Sequence, residues 1–210
     1  MLDILEHYIP TPLESSVVDF YRKHGIMTSQ DIDLDWITDE AGIIVRELPR
    51  DSTSFSLKNK YFIVLDSRIP LGHQRVELAH ELGHVLMHAG RQDIMTMDFR
   101  AFQEFQADRF AMFALAPTFL LANSITQAFN RQQLVSQLAY SFDVPETFMD
   151  ARIDLLEQRL RDIAMQRQME EAVKEQTASS DYTYRHPLND KIEYLVRDGA
   201  IVGRRRRASY

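Results

Sequence analysis

The chain has 210 residues, 45% of them hydrophobic, and a formal net charge of −7 at pH 7, which suits one sizeable core with a smaller appendage. It contains no cysteine, which excludes disulfides and thiolate ligands and leaves any metal to histidine and carboxylate side chains. Its acidic balance offers no general attraction to nucleic acid, and no apolar run approaches the length of a membrane span.

The first forty residues read as two helices. Asp3 and Glu6, with no basic region before an apolar stretch, do not resemble a secretory signal. Pro12-Leu13-Glu14 opens the first helix, Val17, Val18 and Tyr21 lie on one side of it, and His24-Gly25 ends it. Thr28 or Ser29 caps the second, which carries Ile32, Trp36 and Ile37 and stops at Gly42. Three short strands follow at residues 43–45, 54–57 and 61–65, together rich in β-branched and aromatic side chains. Lys58-Asn59-Lys60 supplies the turn into the last of them. A small antiparallel sheet is therefore expected just before the next helix. A peptide could add to its exposed edge as a further strand, or the edge could simply be protected.

His80-Glu81-Leu82-Gly83-His84 is an H-E-x-x-H pattern within a stretch, residues 75–88, that no proline interrupts. Histidines four apart lie one above the other on a helix face, so both imidazoles can reach one ion. Glu81 sits about 100° round the helix, where it can take a proton from water on the open side of that ion. The segment at residues 101–111 also reads as helix, with Glu104 and Asp108 on the same face. Glu104 from this second helix would complete a His-His-Glu site with its fourth position open, as in a catalytic rather than a structural zinc. Asp108 is placed to accept the free ring N–H of His80 or His84, fixing the tautomer of that ligand. The reverse assignment of Glu104 and Asp108 stays open. His88 reads as an end-of-helix histidine near the negative end of the helix dipole, since three ligands on one straight helix cannot converge. The longer H-E-x-x-H-x-x-G-x-x-H pattern is ruled out by Met87 and Gly90.

Beyond Pro117 helices are expected at residues 132–140 and from Glu146 through Phe148, Ile153, Leu156 and Leu160 to about Val173, with a turn at Asp143-Val144-Pro145 between them. Residues 175–180 read as a linker. Residues 182–210 are expected to hold a short helix from Asn189 to Val196 and to end in a solvated basic tail at Arg204-Arg205-Arg206-Arg207. Tyr182, Tyr184 and His186 are possible donors to an oxyanion, and none is singled out.

The run from Glu77 to His88, followed by Glu104-Phe105-Gln106-Ala107-Asp108-Arg109-Phe110-Ala111 and Leu115-Ala116-Pro117, resembles the ImmA/IrrE family of bacterial and phage metallopeptidases. That family's second motif is usually E-x-E-A-[N/D]-x-F-A, followed by an L-M-P-like element. This sequence departs from it at Gln106 and Ala116. The resemblance is specific over about residues 41–117. It implies an α+β fold: a mainly helical, zincin-like metallopeptidase core with a small antiparallel sheet and a helical C-terminal appendage. The expected division is a core at residues 1–120, a helical, helix-turn-helix-like extension at 121–175, and a C-terminal tail at 176–210.

The resemblance further implies a cytoplasmic zinc endopeptidase that cuts a helix-turn-helix (XRE-type) repressor, relieving repression in a mobile element, a phage or a stress response. On that reading one Zn2+, or another divalent ion, is held by His80, His84 and Glu104. Glu81 is the catalytic base and Asp108 supports the ligands. The alternative is a metal-binding regulator that binds a repressor without cutting it. Residues 138–145 look like the family's helix-turn-helix-like segment, but Glu146 and Asp150 on the following helix would repel phosphates. Packing or substrate recognition is the expected role there, rather than direct nucleic-acid binding.

Overall fold

The computed structural model describes residues 8–88, 96–124, 128–178 and 180–207, the side chains of 176–178 excepted. Asp3, Glu6, Gly90 and the last residues of the expected tail, 208–210, lie outside the described residues. The chain falls into two compact units, Met1–Glu157 and Gln158–Tyr210. This division lies between the expected boundaries at 120 and 175. The fold is α+β with a predominantly helical core. Among the described residues no helix is long and apolar enough to cross a membrane.

Helix α1 (Pro12–Lys23) begins where Thr11 accepts the Glu14 amide at 3.2 Å and ends at His24. The expected second helix is instead two pieces, a 3-10 turn at Ser29–Asp31 and α2 (Leu34–Glu40). Two aspartates break it. The Asp31 carboxylate takes the amides of Met27 and Thr28 at 2.9 and 2.7 Å, and that of Asp33 takes the Trp36 amide at 2.9 Å. Such short polar side chains compete with helix for the backbone donors.

Strands β1 (Ile43–Leu48), β2 (Thr53–Leu57) and β3 (Lys60–Asp66) form a sheet in the order β1-β3-β2. The expected antiparallel pairing holds for β2 and β3, joined by a two-residue turn in which Lys58 and Asn59 have φ of 50° and 60°. β1 joins on the other side of β3 and runs parallel to it, so the sheet is mixed. The central place goes to the strand with the unbroken apolar run: Ile63, Val64 and Leu65 are buried.

Against this sheet lies α3 (Leu71–Met87), and against α3 lies α4 (Met97–Leu115). Leu78, Ala79 and Leu82 of α3 and Ala107, Phe110 and Ala111 of α4 are buried. Then come α5 (Thr118–Ser124), α6 (Arg131–Phe142) and the long α7 (Glu146–Ala178). Asp143 turns the chain between the last two in the left-handed conformation. Arg131 reaches from the start of α6 to Asp150, Asp154 and Glu157 on α7, at 2.7, 2.7 and 3.1 Å. Of the two acids expected to repel nucleic acid, Asp150 is thus engaged by Arg131, and Glu146 accepts from the Ser136 hydroxyl at 2.7 Å.

A buried polar cluster pins the end of α4. Arg152 and Glu14, 0% and 1% exposed, lie 3.8 Å apart. The Arg152 Nε donates to the carbonyls of Met112 and Ala116 at 3.2 and 2.9 Å, and its Nη2 donates to the Thr118 hydroxyl at 2.8 Å. Glu14 accepts from the Thr118 hydroxyl and, at 2.6 Å, from the Tyr8 hydroxyl. Burial and the adjacent Glu14 push the Tyr8 hydroxyl up to about 12. Leu115 and Ala116, both 0% exposed, are thus a seam between α4, α5 and α7.

The second unit corrects two expectations. Residues 189–196 are not helical: β4 (Tyr182–His186), β5 (Asn189–Arg197) and β6 (Ala200–Arg206) form an antiparallel meander. Asp198-Gly199, with φ of 49° and 75°, makes the tight turn between the last two. The basic run is not a free tail either. Arg204, Arg205 and Arg206 belong to β6, and Arg205 and Arg207 pair with Glu193 at 3.1 and 3.2 Å. The expected linker also shrinks, because α7 continues to Ala178.

Candidate metal centre

α3 and α4 meet closely because Gly83 has no side chain. A Cβ there would lie 3.1 and 3.2 Å from Phe110 Cδ1 and Cβ and 3.3 Å from the Ala107 Cα. This approach sets the face of α3 bearing His80 and His84 opposite the face of α4 bearing Glu104 and Asp108.

The structure brings His80, His84 and Glu104 together. The Nε2 atoms of the two histidines are 3.0 Å apart, and Glu104 Oε2 lies 3.3 Å from one and 3.4 Å from the other. Tetrahedral zinc with ligands at about 2.0–2.1 Å separates neighbouring ligand atoms by about 3.3–3.4 Å. The triangle of donor atoms therefore has nearly the size such an ion requires, with the histidine–histidine side slightly short of it. The tautomers suit it as well. His80 Nδ1 is 2.9 Å from Asp108 Oδ1; the carboxylate can only accept, so the ring proton sits on Nδ1 and the Nε2 lone pair points into the triangle. Burial, then the neighbouring His80, lowers the pKa of His84 and favours its neutral form. That is the form that can ligate. The donor set thus fits a divalent cation.

Glu81 lies beside the cluster, buried, with its pKa raised above the usual carboxylate range. Burial is the main cause, and a hydrogen bond from Ser54 and the adjacent His80 act against it. Glu81, His80 and Asp108 line a cleft of about 520 Å3 whose walls include Ser52, Val76, Glu77, Ala111, Met112 and Phe148. The five residues singled out from the sequence, His80, Glu81, His84, Glu104 and Asp108, therefore share one neighbourhood.

Others were missed. His88 is not merely a helix-end histidine: its Nδ1 lies 2.9 Å from His84 Nδ1 and its Nε2 3.2 Å from Gln106 Oε1. The spacing 80, 84, 88 placed all three rings on one face, which was a readable sign of contact. Ser54 reaches Glu81 from β2, and Ser52 and Phe148 reach the cleft from the loop before that strand and from a distant helix; sequence spacing gives no such convergence. Tyr182, Tyr184 and His186 belong to β4 in the second unit.

Residues 38–154 match the sequence model of the Peptidase_M78 family, described as the IrrE N-terminal-like domain. The chain is 33% identical over 169 residues to the phage-like element PBSX protein XkdA of Bacillus subtilis (strain 168), covering 80% of this chain and 82% of that one. It is 27% identical over 155 residues to the uncharacterized protein YqaB of the same organism, covering 73% and 88%. Among solved structures, a Mycobacterium tuberculosis transcriptional regulator aligns with a TM-score of 0.47 and 15% identity, covering 70% of this chain and half, 50%, of its own.

Proposed function

The chain belongs to the IrrE N-terminal-like peptidase family, and from that premise we propose that it is a zinc-dependent endopeptidase whose substrate is a helix-turn-helix repressor. The observation that carries the enzymatic half is the triangle of His80 Nε2, His84 Nε2 and Glu104 Oε2, with sides of 3.0, 3.3 and 3.4 Å. Its two histidine–carboxylate sides match the donor spacing of tetrahedral zinc, and the histidine–histidine side is slightly shorter. When bound, zinc would supply Lewis acidity toward a scissile carbonyl and toward the attacking water.

The remaining roles fall to this chain's own groups. His80, His84 and Glu104 hold the ion, and Asp108 keeps His80 in its ligating tautomer. Glu81 takes a proton from the attacking water and returns it to the leaving amine. Its burial, which raises the affinity of the carboxylate for that proton, supports the role. The substrate chain lies in the cleft beside Glu81, whose apolar wall of Val76, Met112 and Phe148 can receive an apolar side chain.

The repressor and a setting in a mobile element or phage are supported by the family resemblance and by the likeness to a protein named for a phage-like element. Action in the cytoplasm is part of the same proposal. Residues 121–157 serve packing or substrate recognition rather than DNA contact, as the engagement of Asp150, Asp154 and Glu157 by Arg131 supports. The test is to mix the protein with a candidate helix-turn-helix repressor and zinc, and to analyse the products by mass spectrometry. A discrete fragment pair is expected from the wild type and none from Glu81→Gln. Repressor that binds but stays whole with the wild type would overturn the reading in favour of a non-cleaving regulator.

A further inference from the structure

His84 is the one histidine of the triangle whose second nitrogen meets another histidine. Its Nδ1 faces His88 Nδ1 at 2.9 Å, and His88 Nε2 faces Gln106 Oε1 at 3.2 Å. Each contact needs one proton, and each neutral ring carries only one. Only two arrangements satisfy the row. In the first, the Gln106 oxygen accepts from His88 Nε2–H, His88 Nδ1 accepts from His84 Nδ1–H, and His84 Nε2 presents its lone pair toward the triangle, where a metal would bind. In the second, the Gln106 amino group donates to His88 Nε2, His88 Nδ1–H donates to His84 Nδ1, and the remaining proton sits on His84 Nε2. That proton blocks ligation.

We propose that His88 and Gln106 are positioning residues that set the tautomer of His84 and thereby the affinity of the site for its metal. The proposal rests on the metal-site reading above. His80 and His84 are controlled differently. Asp108 can only accept, so His80 is held in one tautomer, whereas a glutamine can turn either its oxygen or its amino group toward His88. The chain thus carries one fixed ligand and one set by an amide two residues beyond Glu104, on the same helix. A ligand present in its competent form for only part of the time weakens apparent affinity in proportion. A carboxylate at 106 would remove the second arrangement.

The experiment measures zinc affinity of the full chain by competition with a chromophoric chelator. Thermal melting of the metal-free proteins, and 15N NMR of the histidine rings to read tautomers, accompany it. Gln106→Leu and His88→Phe should bind zinc about 10–100-fold more weakly. Gln106→Glu should bind at least as tightly as the wild type, and His84 should shift toward the Nδ1–H form. Losses of less than twofold in both weakening variants, with wild-type melting, overturn the proposal. So does a Gln106→Glu variant that folds but binds more weakly than the wild type, and this arm stands even if the other two fail to fold. A folded wild type that binds no zinc would overturn the metal-site reading itself, which separates the two failures.

Discussion

Replacing Gly83 with alanine should damage the metal centre much more than the fold. The new methyl would sit 3.1 Å from Phe110 Cδ1, 3.2 Å from its Cβ and 3.3 Å from the Ala107 Cα, where ordinary carbon contacts are about 3.5–4.0 Å. The Phe110 ring can turn away, but its Cβ and the Ala107 Cα move only with α4, so the helix must yield by a few tenths of an ångström. Overpacking of this kind costs about 1–3 kcal/mol, while alanine is better than glycine inside a helix by about 0.8–1.0 kcal/mol. The two nearly offset, leaving a net loss of about 0–2 kcal/mol. The site has no such compensation. Glu104 and Asp108 flank Ala107 on the displaced helix, and a shift of this size exceeds the roughly 0.2 Å tolerance of a zinc–ligand bond. Zinc affinity should fall about tenfold or more, read by chelator competition beside urea unfolding of the metal-free protein. Affinity within twofold of the wild type would refute the close-approach argument.

Asp108→Asn can present an amino group to His80 Nδ1, reversing the polarity of that 2.9 Å contact, and should weaken zinc binding about 10–100-fold; an unchanged competition curve would contradict this. Arg152→Met leaves the Glu14 carboxylate buried without its cation and should cost about 3–5 kcal/mol in urea unfolding, so a loss below about 1 kcal/mol would refute the ion-pair reading. Tyr8→Phe tests the pH dependence. The hydroxyl is raised from 10.0 to about 12 in the folded chain, so the unfolded chain loses that proton first. Its stabilising contribution is therefore complete below pH 10 and lost as pH rises toward about 12. The wild type should lose more stability over that window than the variant, and equal slopes would count against the buried Tyr8–Glu14 contact.

The centre was legible because its chemistry is local. An i to i+4 histidine pair and an i to i+4 acid pair each define a helix face, and one contact between two helices brings four side chains together. Gly83 lay inside the motif, yet its role needs the position of Phe110, which no spacing supplies. The direction of β1 was not legible either, since alternation gives the faces of a strand but not its neighbour. In the second unit the alternation of Ile192, Tyr194 and Val196 and the Asp198-Gly199 turn were present in the sequence. There the apolar residues also satisfy a short helical pattern, and the four arginines suggested solvent; cross-strand pairing with Glu193 decided otherwise. Arg152 escaped for a related reason. An arginine on a polar-looking helix reads as exposed, and only the fold shows the carbonyls of Met112 and Ala116 waiting for it.

The central claim is that His80, His84 and Glu104 together hold one divalent ion. X-ray absorption of the zinc-loaded full chain, with metal content measured on the same sample, tests it most directly. The expected result is one zinc per chain in a four-coordinate shell of nitrogen and oxygen at about 2.0–2.1 Å, with two imidazole scattering patterns. Glu104→Ala should lower the affinity and alter that shell. A wild-type chain that retains no zinc, or a shell left unchanged by Glu104→Ala, would contradict the claim.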